Sequence, residues 1–130
     1  MVSSNRSILV WGFILAVLAA AGSSAIPLPA GWSSAYGYGI NDFGQVAGWG
    51  YNANGISQAF IGTPAGSTAI PLPAGLSGNA EGYGINNFGQ VASWANDPNG
   101  ITQAFVGAPA GSTLVPLPAG WLAAVAYGYR

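Results

Sequence analysis

The chain has no cysteine and no histidine, and its charged residues number two basic and three acidic among 130. Each absence removes a class of chemistry. Without thiols there is no disulfide framework, so stability rests on packing and backbone hydrogen bonds. Without thiolate or imidazole the usual zinc ligand sets are excluded. No basic stripe is present to neutralise phosphates, which argues against a nucleic-acid partner. Serines such as Ser57 and Ser77 have no imidazole to activate them. Asp42, Glu81 and Asp97 are the carboxylates, and none has an acidic counterpart in the repeat described below. The turn-like "NDFG" and "NDPNG" segments each offer one carboxylate, where tight calcium sites use several. The sequence therefore assigns no catalytic residue, no cofactor and no metal, and the expectation is a protein that is not an enzyme.

Beyond the N-terminus no stretch has a helical period. Residues 1–25 read as a secretory signal peptide that would form a hydrophobic helix. Arg6 supplies the positive charge, Ile8 to Ala21 is an uncharged apolar run of about 14 residues, and Ser23 and Ala25 suit a small-residue cleavage site. That run is shorter than the ~20 residues that span a bilayer. Ile26 is then the first mature residue and the expected location is secreted or extracellular. Membrane contact is expected only through this segment, if it stays uncleaved.

Glycine is abundant, at 21 residues, and the nine prolines fall largely in one phrase. "IPLPAGW" at 26–32 returns as "IPLPAGL" at 70–76 and "VPLPAGW" at 115–121. Between these copies "YGINDFGQVAGW" (38–49) and "YGINNFGQVASW" (83–94) are offset by 45 residues, as are "NGISQAFIG" and "NGITQAFVG". Repeat 1 covers about 26–69, repeat 2 about 70–114, and a truncated repeat 3 about 115–130. A period in the forties marks one supersecondary unit written repeatedly, and a single unit cannot bury its own apolar face.

Each unit reads as β-structure. "AYGYGI" alternates, which predicts Tyr36, Tyr38 and Ile40 on one face and small residues on the other. The glycine-rich face would let another sheet approach closely. "NDFG" and "NNFG" are turns leading into "QVAGW" and "QVASW". Asn54-Gly55 and Asn99-Gly100 signal hairpins into "SQAFIG" and "TQAFVG". Pro71 and Pro73 each lack a donor, so "AIPLP" is an edge strand or an extended crossover. Three clear strands and a doubtful fourth per unit predict an all-β chain of propeller-blade-like repeats. An open β-solenoid or a small sandwich is the alternative. Two complete units are too few to close a ring, so the partner expected is either another copy, in a homo-oligomer, or the continuation of a longer repeat array.

Through Ile40, Asn41, Gly44, Gln45 and Val46, and again Ile85, Asn86, Gly89, Gln90 and Val91, the chain resembles the HAF-type extracellular repeat, a bacterial family of tandem modules. Ala59-Phe60 and Ala104-Phe105 match the end of its "HAF" element, with Gln58 and Gln103 where the family has histidine. The resemblance implies a secreted location and a propeller-like fold, and no established activity. A weaker resemblance links "VPLPAGWLAAVAYGYR" to a bacterial sorting tail that begins "VPLPA". The apolar part of this tail, from Trp121 to Tyr129, is too short to span a membrane.

Trp32, Trp49, Trp94 and Trp121 are the side chains best suited to ligand binding. An indole can lie against the apolar face of a sugar while amides such as Gln58 and Gln103 meet its hydroxyls. Large aromatics that recur in each unit also serve as packing. The expectation is a structural, adhesive or self-assembling protein at the cell exterior, with a glycan-binding, lectin-like propeller as the alternative.

Overall fold

A computed structural model describes residues 23–125, so the expected signal helix at 1–25 and the last residues of repeat 3 lie essentially outside the described residues. Among the described residues no helix is long and apolar enough to cross a membrane. Among the described residues all regular structure is β, in two four-stranded antiparallel sheets with the same topology. The first runs β1 (Ser34–Ile40), β2 (Val46–Tyr51), β3 (Ser57–Thr63), β4 (Gly66–Ala69), each strand hydrogen-bonded to the next. The second runs β5 (Ala80–Ile85), β6 (Val91–Asn96), β7 (Thr102–Ala108), β8 (Gly111–Leu114) in the same order.

The doubtful fourth strand exists, but it lies just before the prolines. Gly66–Ala69 and Gly111–Leu114 are the edge strands, and "PLP" follows as irregular extended chain. Pro71 and Pro73 cannot donate to a ladder, so pairing stops one residue before them, at the Ile70 N–H to Ala59 carbonyl bond of 2.9 Å. The phrase then ends in a turn. The N–H of Leu76 reaches the Pro73 carbonyl at 3.2 Å, and Gly75 takes the left-handed φ of 90° that such a turn requires at its third position.

The predicted alternation of β1 is broken by a bulge. Gly37 pairs with Gly48 and Gly39 with Ala47, which leaves Tyr38 as the extra residue. The count shifts by one, so Ile40 shares a face with Val46 and Gly48, whereas Tyr36 lies with Trp49 on the opposite face. Expecting Tyr36, Tyr38 and Ile40 on one side was therefore incorrect. The equivalent bulge between Gly82 and Gly84 re-aims Ile85 in the second sheet.

The sheets stack face to face, with β5 crossing β1, β2 and β3. We call the face of each sheet carrying Val46 or Val91 its leading face, and the one carrying Ala47 or Ala92 its trailing face. The trailing face of the first sheet supplies Ala47, Ala59 and Ile61 to the core, and the leading face of the second supplies Ala80, Ile85, Val91, Ala95 and Phe105. Side chains this small permit a close approach: a Cβ at Gly82 would stand 2.9 Å from the Gly48 carbonyl oxygen and 3.0 Å from Ala59 Cβ. Ile70 and Leu76, from the crossover, complete the cluster. Each large aliphatic side chain so buried stabilises the stack by roughly 1.5–3 kcal/mol.

Candidate functional site

The repeated "IN-x-x-GQ" element is a turn held by its own asparagine. Asn41 Oδ1 accepts the N–H of Phe43 and of Gln45, both at 3.0 Å, and its Nδ2 donates to Gln45 Oε1 at 2.7 Å. Gly44 closes the turn with φ 75°. Asn86, Phe88, Gly89 and Gln90 repeat this arrangement with matching distances. A short amide that satisfies two neighbouring backbone donors is the Asx-turn device.

The loop at the far end of each sheet uses the same device. Asn52 Oδ1 accepts the N–H of Asn54 and of Ile56, and Asn52 Nδ2 donates to Gln58 Oε1 at 3.0 Å. In the second sheet Asp97 takes the place of Asn52, and Gln103 Nε2 donates to its Oδ2 at 3.2 Å. Gln58 and Gln103 are thus fastened to their own loops.

The structure does not bring the predicted indoles and amides together. Trp49 pairs across the strands with Ala59, one register position from the Gly50–Gln58 pair, so Trp49 and Gln58 occupy opposite faces. Trp94 and Gln103 are separated in the same way. Trp32 packs edge-on against Phe60, with ring centres 5.9 Å apart. Trp121 is 60% exposed, and its counterpart Leu76 is 9% exposed within the core.

Trp49 anchors an aromatic cluster that the sequence reading did not anticipate. Tyr36 lies 5.1 Å from it, Tyr51 5.6 Å and Tyr38 6.4 Å, centre to centre, and Tyr38 continues to Tyr83 of the second sheet at 4.7 Å. Hairpin counting across the "NDFG" turn pairs Tyr36 with Gly50; the bulge shifts it by one onto Trp49, so the places of both Tyr36 and Tyr38 depend on the bulge. Around Trp94 the counterparts of Tyr36 and Tyr51 are Glu81 and Asn96, and the buried Trp94 indole N–H has no hydrogen-bond partner. The Tyr83 hydroxyl donates to Glu81 Oε1. Burial first, and then the bond and charge of Glu81, hold the Tyr83 phenol well above its ordinary value.

The most informative polar contacts join equivalent residues of the two sheets. Asn41 Nδ2 donates to the Asn86 carbonyl at 3.0 Å, the Asp42 N–H donates to Asn87 Oδ1 at 2.9 Å, and Asn87 Nδ2 donates to Asp42 Oδ2 at 2.8 Å. Each joins residues 45 positions apart. Beside them lies a cleft of about 250 Å³ lined by Ile40, Asn41, Asp42, Ile85, Asn86, Asn87 and Phe88. Among the described residues no three carboxylates gather where they could hold a metal. Compared with protein-family models, curated proteins and solved structures, the chain matches none of them.

Proposed function

We propose that this chain is a non-enzymatic extracellular repeat protein of propeller-blade-like units, with a structural, adhesive or self-assembling role. The resemblance to HAF-type repeats supports the location and the blade reading. A four-stranded meander that stacks on its successor through residues one period apart is the arrangement expected of such a blade. The observation that carries the role is where the polar side chains are spent. Asn41, Asn86, Gln45, Gln90, Gln58 and Gln103 hold turns, and Asn41, Asp42 and Asn87 join units. Light scattering on the purified full chain across a concentration series tests it: the expected result is a defined multiple of the monomer mass, and a folded monomer at every concentration rejects self-assembly.

A specific observation favours glycan binding as the second reading. Tyr36, Tyr38 and Tyr51 around Trp49 keep much of their area in solvent, a surface on which a sugar ring can stack. Saturable binding on a glycan array, weakened by Trp49→Ala with the circular dichroism spectrum unchanged, is the result this reading expects.

A further inference from the structure

The contact between the two sheets is head-to-tail: the trailing face of one unit meets the leading face of the next. Each face therefore recurs on a unit where it is not covered by the other sheet. On the leading face of the first sheet Ile40 is 69% exposed, whereas its counterpart Ile85 is 7% exposed inside the stack. Gly37 is open where Gly82 is buried, and Val46 is half-buried where Val91 is buried. Gly37, Tyr38, Gly39, Ile40 and Val46 line a shallow cleft of about 260 Å³ there. On the trailing face of the second sheet Val106 is half-buried where Ile61 is buried.

The polar groups are left over in the same complementary way. Asn41 Nδ2 spends one N–H on Gln45 and one on the Asn86 carbonyl, whereas Asn86 Nδ2 spends one on Gln90 and keeps the other. The Asn86 carbonyl accepts from both Gly89 and Asn41, whereas the Asn41 carbonyl accepts from Gly44 and retains a lone pair. The free donor lies on the second unit and the free acceptor on the first. From this continuity with the internal interface we infer that a second copy of this chain docks with its first unit on the second unit of its neighbour. Resting on the self-assembly reading, the inference names the partner and the two surfaces. Such an interface is heterologous, generating rings where the rotation closes and filaments where it does not.

The crossover phrase sets a condition on docking. The internal interface holds one copy of it, at residues 70–76, with Ile70 set over Gly107. Residues 26–32 occupy the equivalent place on the first unit, with Ile26 over Gly62 and Trp32 on Phe60. Residues 115–121 leave the second unit as 70–76 leave the first, the Val115 N–H reaching the Ala104 carbonyl at 2.9 Å. Two approaching copies thus bring two phrases to one slot. Residues 115–121 fill it, Trp121 taking the place of Trp32 on Phe60, and residues 26–32 act as a displaceable plug.

Charge on either face tests the docking. Ile40→Lys blocks the leading face and Val106→Lys the trailing face, and at these positions neither side chain is fully buried in the monomer. By light scattering on the full chain, each variant alone is expected to be a folded monomer, and an equimolar mixture is expected to form a dimer and nothing larger. A wild-type assembly whose mass neither substitution changes overturns the inference and leaves the self-assembly reading standing. Assembly by either variant alone also overturns it, because the interface would then be made by one face paired with itself. A folded wild-type monomer overturns both. Trp32→Ala, which loosens the plug, is expected to associate at several-fold lower concentration than wild type; equal or weaker association overturns the displacement of residues 26–32.

Discussion

Asn41 and Asn86 hold the same turn with the same bonds, but Asn41 also donates to the carbonyl of its counterpart. Asn41→Ala should therefore destabilise the chain by about 2–3 kcal/mol, and Asn86→Ala by about 1 kcal/mol less. Urea unfolding followed by tryptophan fluorescence measures both; equal losses would show that the cross-unit bond contributes nothing. The raised pKa of Tyr83 gives a pH prediction. The folded phenol keeps its proton at pH values where the unfolded chain loses it, so stability falls as pH rises past about 10, the ordinary tyrosine value. Melting temperatures across that range should drop more for wild type than for Tyr83→Phe, and parallel curves would contradict the assignment. At this scale the sequence revealed residue types better than their tasks. The amides Gln58 and Gln103 look free in the sequence because their partners, Asn52 and Asp97, lie across a hairpin turn. Glu81 and Tyr83 are two residues apart, a spacing that by itself sets two side chains on one face of a strand.

Among the elements, strands β2, β3, β6 and β7 were legible because β-rich runs are bounded by Asn-x-x-Gly turns or, between β6 and β7, by Asp97-Pro98-Asn99-Gly100. The fourth strand was harder to place. Four residues are too few to show alternation, and the prolines drew attention to the segment that cannot pair. Bulges are invisible to a period-2 count, so Ile40 was assigned to the wrong face and its open apolar surface could not be foreseen. The crossover gives the prediction at this scale. Gly75 needs its positive φ to deliver Leu76 into the core, and Gly120 makes the same turn before the exposed Trp121. Gly75→Ala should cost about 1 kcal/mol or more of strain. Gly120→Ala should leave the thermal midpoint of the dilute, monomeric chain unchanged, since a local opening there uncovers little. Equal shifts in the two melting curves would refute the difference drawn between these turns.

For the whole molecule, the 45-residue period already indicated two copies of one β unit. It did not show that the copies meet through residues one period apart, because stacking depends on how the crossover returns the chain. Side chains as small as Ala47, Ala59 and Gly82 set the spacing of the sheets, and the Asp42–Asn87 pair fixes their alignment. The absence of native cysteine makes that alignment directly measurable. In the full chain carrying Asp42→Cys and Asn87→Cys, mild oxidation followed by mass spectrometry should find the two thiols joined within one polypeptide. Two thiols that stay free to alkylation in the folded chain would contradict the stacked arrangement on which the rest of this account depends.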